Sequence, residues 1–352
     1  MKFLVAPQGF KGTYSPWEAA KEMAAGIQSV FPHANCLMAP IADGGDGTLE
    51  VLMGDEGQII VSEVTGPLGE KISADWGINH QGIPIIETAK VCGLNLVPEE
   101  DRNPLYTTTY GVGELIKELL DRGHEQMIIG VGGSATNDGG VGMAQALGAE
   151  FFDANGNAIG FGGAEIGKIA TMDLSGLDAR LNKAAIVVAC DVRDSLFGAI
   201  DYSAQKGARK QEKSSLLMGL KNLTALVGGS LHSETYTGSA GGLAYGLAAF
   251  LKARLFSGAN LVMDALKFDE LIKRDVLFVV TGEGCLDGQT IKGKAPGELM
   301  KRAVAKNIPV LCIAGKLGYG YSDLFDCGLQ AVVPLSQSLK LSAASLMKGF
   351  LI

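Results

Sequence analysis

Glu283 and Asp287 stand four residues apart in Phe-Val-Val-Thr-Gly-Glu-Gly-Cys-Leu-Asp-Gly-Gln-Thr-Ile-Lys-Gly-Lys-Ala-Pro-Gly (278–297), with Gly282, Gln289, Thr290 and Lys294 around them. Two carboxylates at that spacing can share one hydrated divalent cation, which commonly takes one or two protein carboxylates and completes its shell with water and phosphate oxygens. Lys294 offers charge to a phosphate, and Gln289 and Thr290 add neutral hydrogen bonds. Asp287 has a plainer reading too, as the cap of the helix that opens near Pro296. A second loop, Gly-Val-Gly-Gly-Ser-Ala-Thr-Asn-Asp-Gly-Gly (130–140), places Gly132 and Gly133 before Ser134, Thr136, Asn137 and Asp138. Glycines there let backbone N–H groups turn toward oxyanions, and Asp138 is either a metal ligand or a helix cap. In Asp-Gly-Gly-Asp (43–46), Asp46 suits a helix start, whereas Asp43 lies at a strand end. Asp191 likewise ends an apolar run, and Lys11 and Lys206 lie in polar loops, where solvated lysines are equally expected. Cationic partners, cation-holding carboxylates and a base are what phosphoryl transfer needs. No histidine or base-paired cysteine occurs in these loops, so a Ser-His-Asp or Cys-His hydrolase is poorly supported.

Two motif matches point elsewhere and fail on inspection. Residues 288–295 approach the phosphate-loop pattern but end in Ala295, which has no hydroxyl for Mg²⁺, followed by Pro296. Residues 130–135 fit a dinucleotide fingerprint, yet four more loop residues intervene before a helix begins, which leaves NAD binding a weak alternative.

Composition narrows the classes. A net charge of −8 disfavours nucleic-acid binding. No run of 18 apolar residues suggests a membrane span, and the start reads as a first strand instead of a signal peptide, which points to the cytoplasm. Six dispersed cysteines with no CxxC pair read as inert thiols in a reducing compartment. Glycine, 49 of 352 residues, is about twice its usual ~7% share and gathers at strand ends, where ligand loops belong.

Positioning these loops falls to alternating strands and helices. Strands are expected at 3–6, 36–39, 127–130, 184–189, 276–280, 310–314 and 331–334, and helices at 16–30, 48–53, 111–122, 140–147, 243–251, 269–273 and 298–306. Strands at 58–65, 71–78 and 83–86 follow one another without helices, which predicts an antiparallel insertion. The two ends of the chain resemble each other more than the middle. The expected fold is therefore α/β with two domains: a Rossmann-like domain built from both termini (1–65 and 286–352) and a larger inserted mixed α/β domain (66–285), with the active site in the cleft between them.

The ordered loops resemble those of the glycerate kinase type I family. The carrying segments are Ala-Pro-Gln-Gly-Phe-Lys-Gly-Thr (6–13), Pro-Ile-Ala-Asp-Gly-Gly-Asp-Gly-Thr (40–48), 130–140, Ala-Cys-Asp-Val (189–192), Ala-Gln-Lys-Gly-Ala (204–208), Gly-Ser-Ala-Gly-Gly (238–242) and Thr-Gly-Glu-Gly-Cys-Leu-Asp-Gly-Gln-Thr (281–290). They appear in the family's order over nearly the whole chain. The resemblance implies an ATP- and Mg²⁺-dependent kinase acting on glycerate or a closely similar hydroxy acid, as a monomer or homodimer. The expected assignments are Asp191, Asp43 and Lys11 in catalysis; Gly132, Gly133, Ser134, Thr136, Asn137, Lys206, Gly282, Gln289, Thr290 and Lys294 around the nucleotide; and Glu283, Asp287 and Asp138 around the metal. This chain departs from the family by carrying Gln8 and Gly9 where Asp and Ser are usual, Lys316 where serine is frequent, and shortened segments after Asp191, before Gly238 and after Leu335. Those departures keep open a catalytically silent relative that binds nucleotide or acid.

Overall fold

The first strand, Lys2–Val5, lies inside a five-stranded sheet in the order Leu329–Pro334, Val310–Leu317, Val276–Leu286, Lys2–Val5, Asn35–Met38, every pair parallel. The computed structural model that shows this describes residues 1–54, 56–273 and 275–349, with Lys292 described by its backbone alone. Parallel strands need cover on both faces, so their side chains are apolar on both. Phe3 and Val5 pack with Met23, Ile27, Leu311, Ile313 and Leu339 on one face. Leu4 and Ala6 pack with Met263, Val279, Leu299 and Val310 on the other. The Pro16–Val30 helix begins in a capping box: the Ser15 hydroxyl accepts the Glu18 N–H at 3.3 Å, and Glu18 returns an acceptor to the Ser15 N–H at 2.8 Å. Gly26 on that helix meets Leu339–Lys348; a Cβ there would lie 2.3 Å from the Lys340 carbonyl oxygen, so only glycine permits this approach.

A second sheet has the order Arg254–Ser257, Ala185–Cys190, Gln126–Val131, Pro84–Glu87, Lys71–Ile78, Gln58–Thr65. Its first four strands run parallel, and the last two add antiparallel, as the helix-free 58–86 stretch predicts. Trp76 and Tyr245 are fully buried in its core, and the Trp76 indole N–H donates to the Ser62 hydroxyl at 2.9 Å.

Each sheet belongs to one of two compact units, Met1–Leu52 with the segment from Gly258 onward, and Met53–Ser257. The expected switch points of 65/66 and 285/286 are therefore displaced. Gln58–Thr65 pairs along its whole length with Lys71–Ile78 and so joins the second unit. The stretch from Gly258 packs Ala259, Met263 and Phe268 into the first unit's core. A second correction concerns 281–286, read as loop. Those residues continue the strand, because Thr281 to Leu286 keep parallel register with Cys312 to Leu317. The 18-residue helix Lys210–Val227 was not anticipated, although Leu216, Leu220 and Leu223 form a buried stripe.

Candidate active site

In the first unit the chain continues past its strand ends in parallel. The Ala39 N–H donates to the Val5 carbonyl and the Ile41 N–H to the Pro7 carbonyl, both at 2.9 Å; the Gln8 N–H donates to the Gly282 carbonyl at 2.8 Å. This carries Gln8 and Asp43 past their own strand ends together, level with the 282–283 stretch of the neighbouring strand. Asp43 is 7% exposed; its Oδ2 accepts the Gln8 amide at 2.9 Å, and its Oδ1 accepts the Gly45 N–H at 3.3 Å. Glu283 is also buried, and its Oε1 accepts the Thr290 hydroxyl at 2.7 Å. Burial pushes the Glu283 carboxyl up to about 7; the Thr290 bond and the Lys294 charge oppose this, while Asp43 and Asp287 reinforce it. Asp287 is half-buried, and its Oδ1 accepts the Gln289 N–H at 2.8 Å. It does not cap the following helix: Lys294 holds the N-cap position of Ala295–Val304. Lys11 stands largely in solvent, its ammonium 2.9 Å from Asp46. Gly282 is buried where a Cβ would press on the Ile313 carbonyl and Phe10; the Gln289 side chain is exposed.

The second unit builds a different cluster. Register places Glu87 beside Gly130, Gly130 beside Ala189 and Cys190 beside Ser257, so the tips of four parallel strands stand level. Asp191 follows one of these tips. Lys206 is 4% exposed; its ammonium donates to the Ser134 hydroxyl at 3.0 Å and to the Thr136 carbonyl at 2.7 Å. Burial lowers the Lys206 pKa to about 8, against the pull of Asp191 and Asp138. Gly133 takes a positive φ of 64° and its carbonyl accepts the Leu94 N–H, while Gly132 is buried beside it. The buried Asn137 amide donates to the Ala199 carbonyl at 3.4 Å, and its Oδ1 has no hydrogen-bond partner among the described residues. The Gly-Ser-Ala-Gly-Gly segment wraps this loop: Gly241 has a φ of 69°, and a Cβ there would fall 1.8 Å from the Thr136 carbonyl oxygen.

Asp138 departs from its expected role. It is 1% exposed, and its carboxylate accepts the Thr109 N–H and hydroxyl, each at 2.8 Å, and the N–H groups of Gly140 at 3.1 Å and Gly142 at 3.3 Å. Protein donors already surround it, so it clamps the loop to the start of Val141–Ala146. No group of three or more His, Cys, Asp or Glu side chains among the described residues is arranged to hold a metal. Glu283 and Asp287, two hard oxygen donors with Asp43 adding negative charge, suit a cation that draws its remaining ligands from water and phosphate. The dinucleotide reading also fails structurally: Gly130 and Val131 are still strand, and the helix starts only at Val141. Sequence reasoning passed over Glu87, 3% exposed at a strand tip, although an acidic residue closing an apolar run was the signal used for Asp191. The Gln8–Asp43 bond had no sequence signal, because nothing in either segment announces the other.

The glycerate kinase family model matches residues 3–349. A glycerate kinase of Halalkalibacterium halodurans is 42% identical, over 94% of this chain and 90% of that protein. Glycerate 2-kinase of Escherichia coli is 42% identical, over 96% of this chain and 91% of that protein. A solved structure from Salmonella typhimurium, assigned as glycerate kinase 2, superposes with a TM-score of 0.82 at 38% identity, covering 99% of this chain and 98% of that one.

Proposed function

The chain belongs to the glycerate kinase family, and from that premise we propose that it transfers the γ-phosphoryl group of ATP to the 2-hydroxyl of glycerate, giving 2-phosphoglycerate and ADP. The observation that carries the reading is the family match across residues 3–349. Two strand-tip clusters that combine buried carboxylates with lysines support it. In the transfer the hydroxyl oxygen bonds the γ-phosphorus as the bond to the β-bridging oxygen breaks, and the hydroxyl proton must leave. Asp191, at the carboxyl end of its strand, accepts that proton. Asp43 orients the acid in the first unit, and Lys11, tethered to Asp46, contributes an approaching cation. Glu283 and Asp287 would hold Mg²⁺, which when bound neutralises charge on the phosphate oxygens. Lys294, at a helix start, supplies positive charge to the same phosphates. Lys206 holds the 134–136 loop so that its hydroxyls and N–H groups meet the nucleotide in a fixed shape.

The test is ADP release with D-glycerate, L-glycerate, tartronate and no acid, each with and without Mg²⁺, and ³¹P NMR of the product to locate the phosphate. Acid-dependent ADP release with phosphate on the 2-oxygen is expected. ADP release indifferent to the acid, or nucleotide binding without turnover, would refute the assignment.

A further inference from the structure

We propose that Gln8 is a positioning residue for the reaction: its side-chain amide aims the Asp43 carboxylate through a neutral donor. The inference rests on the glycerate kinase reading and adds a residue whose place in the family is usually taken by aspartate. Gln8 is fixed from both sides. Its backbone N–H donates to the Gly282 carbonyl at 2.8 Å, and its side-chain Nε2 donates to Asp43 Oδ2 at 2.9 Å. The position also has little slack: a Cβ at Gly9 would lie 3.3 Å from Pro16 Cδ, so the turn that presents Gln8 sits against the first helix.

Asp43 is held just as firmly. Its backbone oxygen is where a Cβ at Gly258 would intrude at 1.9 Å, and its Oδ1 accepts the Gly45 N–H at 3.3 Å. With the backbone packed and one carboxylate oxygen tied to Gly45, the Gln8 amide on the other oxygen restricts rotation of the side chain. A glutamate at position 8, with the length of Gln8, would face Asp43 oxygen to oxygen, where two such groups must share a proton or a cation. An amide of similar length presents a neutral donor instead. Asp43 is therefore held between two neutral donors, the Gln8 amide and the Gly45 N–H.

The experiment compares wild type, Gln8→Ala and Gln8→Glu by kcat, by separate KM values for glycerate and ATP, and by melting temperature. Gln8→Glu keeps the shape but turns the donor into an acceptor opposed to Asp43. It is expected to lower kcat/KM for glycerate by ~10²-fold, the scale of a small misplacement of a reacting group. Gln8→Ala should fall between it and wild type, and both variants should keep the wild-type melting temperature and KM for ATP. Wild-type kinetics in both variants would overturn the inference while leaving glycerate phosphorylation intact. So would losses that follow a lowered melting temperature, which mark a merely structural bond. A wild-type chain that does not phosphorylate glycerate would overturn the functional reading and this inference together.

Discussion

The Thr290 hydroxyl links Glu283 to the turn that follows it: it donates to Glu283 Oε1 at 2.7 Å and accepts the Asp287 N–H at 3.3 Å. The bond gives a partner to a buried carboxylate whose pKa burial raises from 4.5 to about 7. A carboxyl whose folded pKa exceeds its unfolded one costs nothing below the unfolded value and progressively more as pH rises through the folded value. Glu283→Gln should therefore melt like wild type near pH 4 and at a higher temperature at pH 8, with a gain of up to roughly 3 kcal/mol. Its phosphoryl transfer should be lost at both. Thermal melts at the two pH values check the first half, and a lower melting temperature at pH 8 would refute it.

Asp138 should show the opposite balance. Removing its carboxylate strands four donors in a buried loop, each unsatisfied group costing ~1–3 kcal/mol in isolation. Asp138→Ala is expected to lose several kcal/mol of stability, or to fail to fold, whereas Asp138→Asn keeps part of the bonding and should melt between it and wild type. A stable, inactive Asp138→Ala with weakened Mg²⁺ dependence would return Asp138 to the metal.

Lys206 sets a limit on alkaline activity. Burial lowers its pKa from 10.5 to about 8, so deprotonation of the folded chain begins where a free lysine would still be charged. The sign follows: the burial penalty is present in full below pH 8 and disappears as pH rises toward 10.5, so deprotonation favours the fold while removing the charge. The kcat/KM profile should fall above about pH 8. Lys206→Met should lower turnover by ~10²-fold, since the charge is gone and the Ser134 and Thr136 oxygens lose their donor. An unchanged profile to pH 10 would remove Lys206 from the chemistry.

Asp191→Asn tests the proposed base. Turnover should drop by ~10²-fold or more at unchanged nucleotide affinity, the usual range for losing a general base. Stopped or steady-state rates close to wild type would exclude the role.

Asp287→Ala separates cation binding from turn formation. Asp287 is half-buried and, among the described residues, its side chain accepts one backbone N–H, that of Gln289, so its loss should leave the melting temperature nearly unchanged. Activity should fall and recover partly at raised Mg²⁺. Normal activity with a lowered melting temperature would leave Asp287 a turn residue alone.

Local signals were legible where one element explains itself. The Pro16–Val30 helix, with Ser15 and Glu18 forming its cap, and the Lys71–Ile78 strand match their expected bounds, because proline, cap and period are all local. The 281–286 stretch was illegible for the converse reason. Glycine and glutamate read as loop, and only the register with Cys312 to Leu317, supplied from elsewhere in the chain, makes them strand. The site residues divide in the same way. Strand-tip acids could be found from apolar runs, but whether a carboxylate is wrapped like Asp138 or turned outward like Asp287 depends on Thr109 and Gln289 in ways no spacing encodes.

The order of the first sheet also bears on how the chain is made. Lys2–Val5 leaves the ribosome long before one of its two strand neighbours, Val276–Leu286. At ~5–20 residues per second, the intervening stretch occupies the ribosome for on the order of ten seconds or more. Throughout that interval an apolar strand waits with one finished edge, while the unit from Met53 to Ser257 has all of its own strands and can close without it. The nascent chain thus carries an open β-edge that the finished enzyme hides, and translation speed and chaperone access bear on yield even where they leave the folded molecule unchanged.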